Sequence, residues 1–393
     1  MDLGFEGDFE VLRRSIIDRP ELVDQNESNM VRLPSTSFQT IFSCDVVQST
    51  RSAWQGYFEE TRGLSSETFH LESIVDVVKN LRNGTSTYGL QNSSGRSVVD
   101  VVTGGFPCND FSVAGKRLGF DSDKSHRGNK TFLDEDLDDP TAENRGMLYY
   151  WMKEFVAEVR PKVFYAENVK GLVSLGDAKR IIEHDFSTIG DSSYFVLPVK
   201  VLKAMEFGVP QTRERVVFIG VDKTQTKPAV RRHIEKYGQL PPNLDLYPME
   251  THGEGRFPLV TAGEALRDLP EPEFSSDLSQ QSYSKAKYMG KMQGQAEVRD
   301  ERPGPTIRAE HHGNIEFRRL SKEHGGTNLG GSERRLTVRE CARIQTFPDD
   351  FDFVIPGKLS ASDGYRAIGN AVPPLLAWRL ANRLDEVWDQ IFK

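Results

Sequence analysis

From about Phe38 to Val221, short β-branched or aromatic runs alternate with stretches of helical periodicity. The pattern predicts strands at Thr40–Cys44, Val98–Thr103, Val163–Ala166, Tyr194–Leu202 and Arg215–Val221. Helices are predicted over Ser49–Glu60, Ser73–Leu81, Met147–Val159 and Asp177–Ile189. Strands alternating with helices predict an α/β fold with a doubly wound, mostly parallel sheet. Ligands on such sheets bind at the C-terminal ends of strands. Residues 222–335 are richer in Pro, Gly, Gln and His, with weak periodicity, and read as an irregular segment. Regularity returns at Pro373-Pro374, where Leu376, Leu380, Leu384, Trp388 and Ile391 recur at helical spacing. The expected organisation is 1–221 and 336–393 as parts of one domain, with 222–335 inserted between them.

Composition changes this picture little. At 393 residues there is room for a sizeable core, and 37% hydrophobic with 27% charged residues is ordinary for a soluble protein. No long apolar run or basic-then-apolar leader occurs, so a cytoplasmic location and no membrane partner are expected. Three cysteines, Cys44, Cys108 and Cys341, are far apart and form no disulfide framework or zinc ribbon. The acidic run Asp134–Asp139 reads as a solvated loop, and no metal is expected. A net charge of −8 gives no support to nucleic-acid binding, which would need a local basic surface. Arg302–Arg343 concentrates arginines, including Arg308, Arg318 and Arg319, with acids interleaved. A solvated mixed-charge surface and a phosphate-contacting face fit it equally well.

Three signals are weak alone. Gly-Gly-Phe-Pro-Cys108 follows a strand, Glu167-Asn-Val169 ends another, and Gln211-Thr-Arg213-Glu-Arg215 opens a third. A lone cysteine is usually inert, though a place after a strand reduces those odds; an acid there usually caps a turn, and charged residues usually mark a solvated edge. Their order, however, is informative. Gly-Phe-Pro-Cys-x-x-Phe-Ser (105–112), Glu-Asn-Val (167–169), Gln-x-Arg-x-Arg (211–215), Arg339–Pro348 and Gly364–Pro374 together resemble the DNA cytosine-5 methyltransferases. The likeness covers nearly the whole chain outside 222–335, where that family keeps its target-recognition domain.

The resemblance implies a Rossmann-like S-adenosylmethionine-dependent fold and double-stranded DNA as substrate. It makes Cys108 the nucleophile toward cytosine C6, which turns C5 into a carbon able to accept a methyl group. Glu167 would act at N3 and the exocyclic amine, Arg215 at the base carbonyl, and Arg213 at a flanking phosphate. An ordinary Glu is about 0.2% protonated at pH 7, so a raised pKa or a shared proton is expected at Glu167. The base must leave the duplex to be reached. Asn109, Ser112 and Lys116 on the loop after Cys108, with Arg308, Arg318 and Arg319, are the implied DNA contacts. The family's usual Gln stands here as Asn109.

For S-adenosylmethionine the implied residues are Asp45, Glu72, Ser73, Gly105, Pro107, Leu148, Asn370 and Val372. A helix cap for Ser73 and core packing for Leu148 and Val372 are the simpler readings of those three. The family's first strand and Phe-x-Gly-x-Gly loop usually lead into a helix like Met1-Asp-Leu-Gly-Phe-Glu6, where this chain starts. A mis-set or clipped start is expected over natural loss. The setting implied is bacterial modification, with a cognate restriction endonuclease and a monomeric enzyme. The alternatives are a DNA-binding homologue unable to hold cofactor and a tRNA cytosine methyltransferase. A nicotinamide dehydrogenase is disfavoured because no GxGxxG follows a strand.

Overall fold

The computed structural model describes residues 1–23, 28–106, 148–309, 315–327 and 332–393. Seven strands position the functional region. They are β1 (Ser43–Cys44), β2 (Phe69–His70), β3 (Val101–Gly105), β4 (Val163–Val169), β5 (Tyr194–Val196), β6 (Lys200–Lys203) and β7 (Glu214–Asp222). The helices that cover them are α1 (Asp2–Glu6), α2 (Gln48–Phe58), α3 (Ile74–Arg82), α4 (Leu148–Val159), α5 (Ala178–Ser187), α6 (Val338–Ile344), α7 (Ala361–Asn370) and α8 (Pro374–Ile391). Among the described residues, no helix is long and apolar enough to cross a membrane.

Alternation along β4 builds two apolar layers. Val163 and Tyr165 pack on one face with Val217 and Ile219 of β7 and Leu380 of α8. Phe164 and Ala166 point the other way, toward Val77 of α3, Phe155 of α4 and Phe186 of α5. Side chains two apart share a face of a strand, so one sequence run serves both layers. Glycine interrupts the apolar run of β7 at Gly220 because a Cβ there would lie 2.1 Å from the Phe164 ring. Leu246, Val260, Val298 and Ile307 of the irregular segment join the same core as α8.

The sheet is mixed rather than mostly parallel. β3 and β4 pair in parallel, but β7 runs antiparallel to β4, β5 and β6. The reason is the short link from β6 to β7 through the turn Ala204–Phe207, which leaves no room for a parallel crossover. The run expected as one strand, Tyr194–Leu202, does lie along one edge of β7. It splits into β5 and β6 around Pro198, which has no N–H to give the ladder. β1 pairs in parallel with β2, a strand too short to show periodicity, and these two form a separate sheet.

Gln211 and Arg213 join the sheet to the returning C-terminal segment. Gln211 accepts from the Ile307 N–H and donates to Gln345 Oε1 at 2.5 Å. Arg213 is buried and donates to the carbonyls of Ile307, Gly369 and Ala371, each at 2.9 Å. The expected phosphate contact of Arg213 is therefore corrected: its guanidinium is committed to three carbonyls inside the protein. Arg213→Lys should lower stability by about 1–3 kcal/mol, because a Lys ammonium cannot reproduce the planar fork. Thermal melting would show this, while the salt dependence of DNA affinity should keep its slope. A slope smaller by about one with an unchanged melt would restore the phosphate role.

Candidate functional site

The C-terminal ends of β1, β2 and β3 open on a cavity of about 730 Å³. Its lining includes Asp45, Glu72, Ser73, Gly105, Leu148, Asn370 and Val372, seven of the eight residues expected around a cofactor. The eighth, Pro107, lies outside the described residues, as do Cys108, Asn109, Ser112 and Lys116. Such a volume falls in the range of about 300–1,000 Å³ typical of small-molecule and cofactor sites.

Each wall residue arrives by local logic. Asp45 follows β1, and its carboxylate accepts from the Val47 N–H at 2.9 Å. Burial raises its pKa above the ordinary value, with the Val47 and Val46 amides and Thr50 opposing that shift. Burial likewise pushes the Cys44 thiol up to about 12, with Asp45 and Glu72 adding to the effect, so Cys44 is a neutral wall residue. Glu72 is fixed after β2 by Asn80 Nδ2 at 2.8 Å and the Tyr88 hydroxyl at 3.0 Å. Ser73 caps α3, accepting from the Val75 N–H at 3.3 Å, so the simpler reading of this residue describes its hydrogen bond. Leu148 opens α4 and Asn370 closes α7.

Glu167 also reaches this cavity. Parallel pairing sets it opposite Gly105, where a Cβ would come within 3.2 Å of Oε2. Antiparallel pairing places Arg215 opposite Val169, and its Nε lies 2.6 Å from Glu167 Oε1. Both side chains are at most about 10% exposed. The structure thus brings Glu167 and Arg215 together at the cavity and keeps Arg213 away from it.

One residue of the Glu-Asn-Val motif had no role assigned from the sequence. Asn168 is 1% exposed and donates from Nδ2 to the Phe106 carbonyl at 3.0 Å, while its Oδ1 accepts from the Val169 N–H. It ties the end of β4 to the end of β3. A polar amide beside Glu167 at the end of an apolar run was the available signal.

The arginines expected on DNA are held by acids. Arg308 meets Glu316 at 3.1 Å, Arg318 meets Asp300 at 2.6 Å, and Arg319 donates twice to Glu271 at 2.7 and 2.8 Å. Each of the three guanidiniums is thus engaged by a carboxylate while remaining partly exposed. The acids supply internally the charge that a phosphate would supply. Among the described residues, no group of His, Cys, Asp or Glu is placed to hold a metal ion.

Comparison with known proteins agrees with this arrangement. The chain is 32% identical over 331 residues to the type II methyltransferase M.Eco47II of Escherichia coli, covering 76% of this chain and 66% of that protein. It is 34% identical over 303 residues to the type II methyltransferase M.PspPI of Psychrobacter sp. (strain TA137), covering 71% of this chain and 62% of the relative. The matched part is thus a little under two thirds of each relative's length. In fold, the chain is similar to the crystal structure of the S. pombe Dnmt2 methyltransferase, with a TM-score of 0.51 at 12% identity over 88% of this chain and 91% of that one. The profile of the C-5 cytosine-specific DNA methylases matches residues 78–134 and 138–386. That match spans more than half the chain, which therefore belongs to the C-5 cytosine-specific DNA methylase family.

Proposed function

We propose that this protein transfers a methyl group from S-adenosylmethionine to C5 of a cytosine flipped out of double-stranded DNA. The observation that carries this reading is the shared cavity. The wall residues Asp45, Glu72 and Asn370 and the carboxylate of Glu167, held by Arg215 behind it, open on one space.

The residues present fit the donor. Asp45 offers a half-buried carboxylate at a strand end, suited to ribose hydroxyls. Leu148 and Val372 give apolar walls and Asn370 a polar one. When bound, S-adenosylmethionine supplies an electrophilic methyl group on a sulfonium centre.

The chain supplies the rest. Cytosine C5 is a poor nucleophile until a thiolate adds to C6, and Cys108 is the residue proposed to add. Electron density then moves to N3, where Glu167 holds the proton, and the other carboxylate oxygen accepts from the exocyclic amine. After C5 takes the methyl group, loss of the C5 proton to water expels the Cys108 thiolate and restores the aromatic ring. Arg215, 2.6 Å from Glu167, fixes that carboxylate and presents positive charge toward the base carbonyl. Asn168 is a positioning residue, setting the Phe106 carbonyl just ahead of the nucleophile segment. The loop residues Asn109, Ser112 and Lys116 are proposed to contact the DNA. The type II names of the relatives support a modification role beside a cognate endonuclease. Residues 222–335 are the proposed seat of sequence recognition.

Three outcomes test this reading. Asp45→Asn should weaken S-adenosylhomocysteine binding by about tenfold or more, as expected for one lost charge-assisted hydrogen bond, measured by calorimetry. Cys108→Ala should abolish transfer to DNA, and Glu167→Gln should slow it by about 10²–10⁴-fold, both with DNA affinity largely kept. Turnover by Cys108→Ala would remove the nucleophile assignment.

A further inference from the structure

Glu72 lines the cavity just ahead of α3, and its carboxylate sits in a closed triangle of neutral hydrogen bonds. Asn80 Nδ2 donates to Glu72 Oε1 at 2.8 Å and to the Tyr88 hydroxyl oxygen at 2.7 Å. The Tyr88 hydroxyl in turn donates to the same carboxylate, 3.0 Å from Oε1 and 3.1 Å from Oε2. A hydroxyl has one proton to give, so Oε1 is well supplied and Oε2 keeps most of its accepting capacity. Among the described residues, no lysine, arginine or histidine lines this cavity. Neutral donors therefore decide where this carboxylate points. Burial raises the Tyr88 phenol above its ordinary value, with the Glu72 charge adding and the Asn80 bond opposing, so the phenol keeps its proton and donates.

The chain takes an unfavourable conformation to put Tyr88 there. Its φ is 50°, in the left-handed region that a bulky side chain seldom occupies, and Gly89 follows at 70°. Packing holds the ring, which stands edge-on to Phe42 ahead of β1 and to His70 of β2, with centroids 5.6 and 5.0 Å away. Two residues on, Leu90 is buried in the cavity wall. A phenylalanine would fill the same space. The hydroxyl is what packing leaves unexplained, and it goes to Glu72.

We propose that Tyr88 is a positioning residue for cofactor binding: with Asn80 it occupies Oε1 of Glu72 and leaves Oε2 free to accept from an N–H or O–H of the bound molecule. An ionised carboxylate only accepts, so a ligand that presents an acceptor at that point is repelled. Tyr88 and Asn80 set where that discrimination is applied, without touching the ligand themselves. The inference rests on the reading of this cavity as the S-adenosylmethionine site.

Calorimetry with S-adenosylhomocysteine is the test. Tyr88→Phe keeps the ring and removes only the hydroxyl, and Asn80→Ala removes the carboxylate's other donor by an independent route. Each should weaken binding by about three- to tenfold, the worth of one hydrogen bond. Tyr88→Phe should melt within about 3 °C of the unmodified protein. A double-mutant cycle separates positioning from general support of the fold. In a Glu72→Ala background the loss from Tyr88→Phe should shrink to less than about twofold, because the group it aims is gone. In an Asn370→Ala background, on α7 in another part of the wall, the loss should persist in full. Equal loss in both backgrounds, or no loss from either single variant while the unmodified protein binds S-adenosylhomocysteine, overturns this proposal alone. Failure of the unmodified protein to bind S-adenosylhomocysteine overturns the cofactor reading of the cavity and this proposal with it.

Discussion

The ion pair between Glu167 and Arg215 depends on more of the structure than any other contact at the site. Two buried charges 2.6 Å apart cost much to desolvate, and their attraction offsets that cost only where geometry is fixed. The fixing comes from register. β4 presents Glu167 opposite Gly105 on one side and Val217 on the other, while β7 brings Arg215 opposite Val169. A slip of one residue would turn both side chains to the other face. The two apolar layers that lock this register thus also hold a carboxylate where a base can meet it.

Around that pair, buried arginines make the connections that a regular sheet cannot. Arg213 gathers three carbonyls from segments far apart in sequence. Arg335 does the same with the carbonyls of Ala286 and Gly294 at 2.8 Å, and Arg339 with those of Pro348 and Phe351. The irregular segment has few ladders of its own, and its backbone groups still need partners. Guanidinium forks provide them, which is why arginine is dense where secondary structure is sparse.

Much of this was legible in the sequence. β-branched runs marked β3, β4 and β7, and in β4 and β7 the run is continuous because both faces are buried. The motif order placed Glu167 and Arg215 together, and the expected wall residues Asp45, Glu72 and Asn370 do share one cavity. What escaped was of three kinds. β2, like the hairpin of Glu10–Leu12 with Met30–Arg32, is too short for a period to show. The roles of Arg213, Arg308, Arg318 and Arg319 depend on partners distant along the chain, so an internal clamp and a phosphate contact look alike in sequence. The direction of β7 depended on a short connection, which an alternation of strands and helices does not reveal.

The central claim is that the cavity and the Glu167–Arg215 pair serve methyl transfer to cytosine C5. It is tested most directly by supplying labelled S-adenosylmethionine and unmethylated double-stranded DNA to the protein, then digesting the DNA to nucleosides. The account predicts label in 5-methylcytosine and nowhere else. Label in another nucleoside, in RNA but not DNA, or in no nucleoside while both ligands bind, would contradict it.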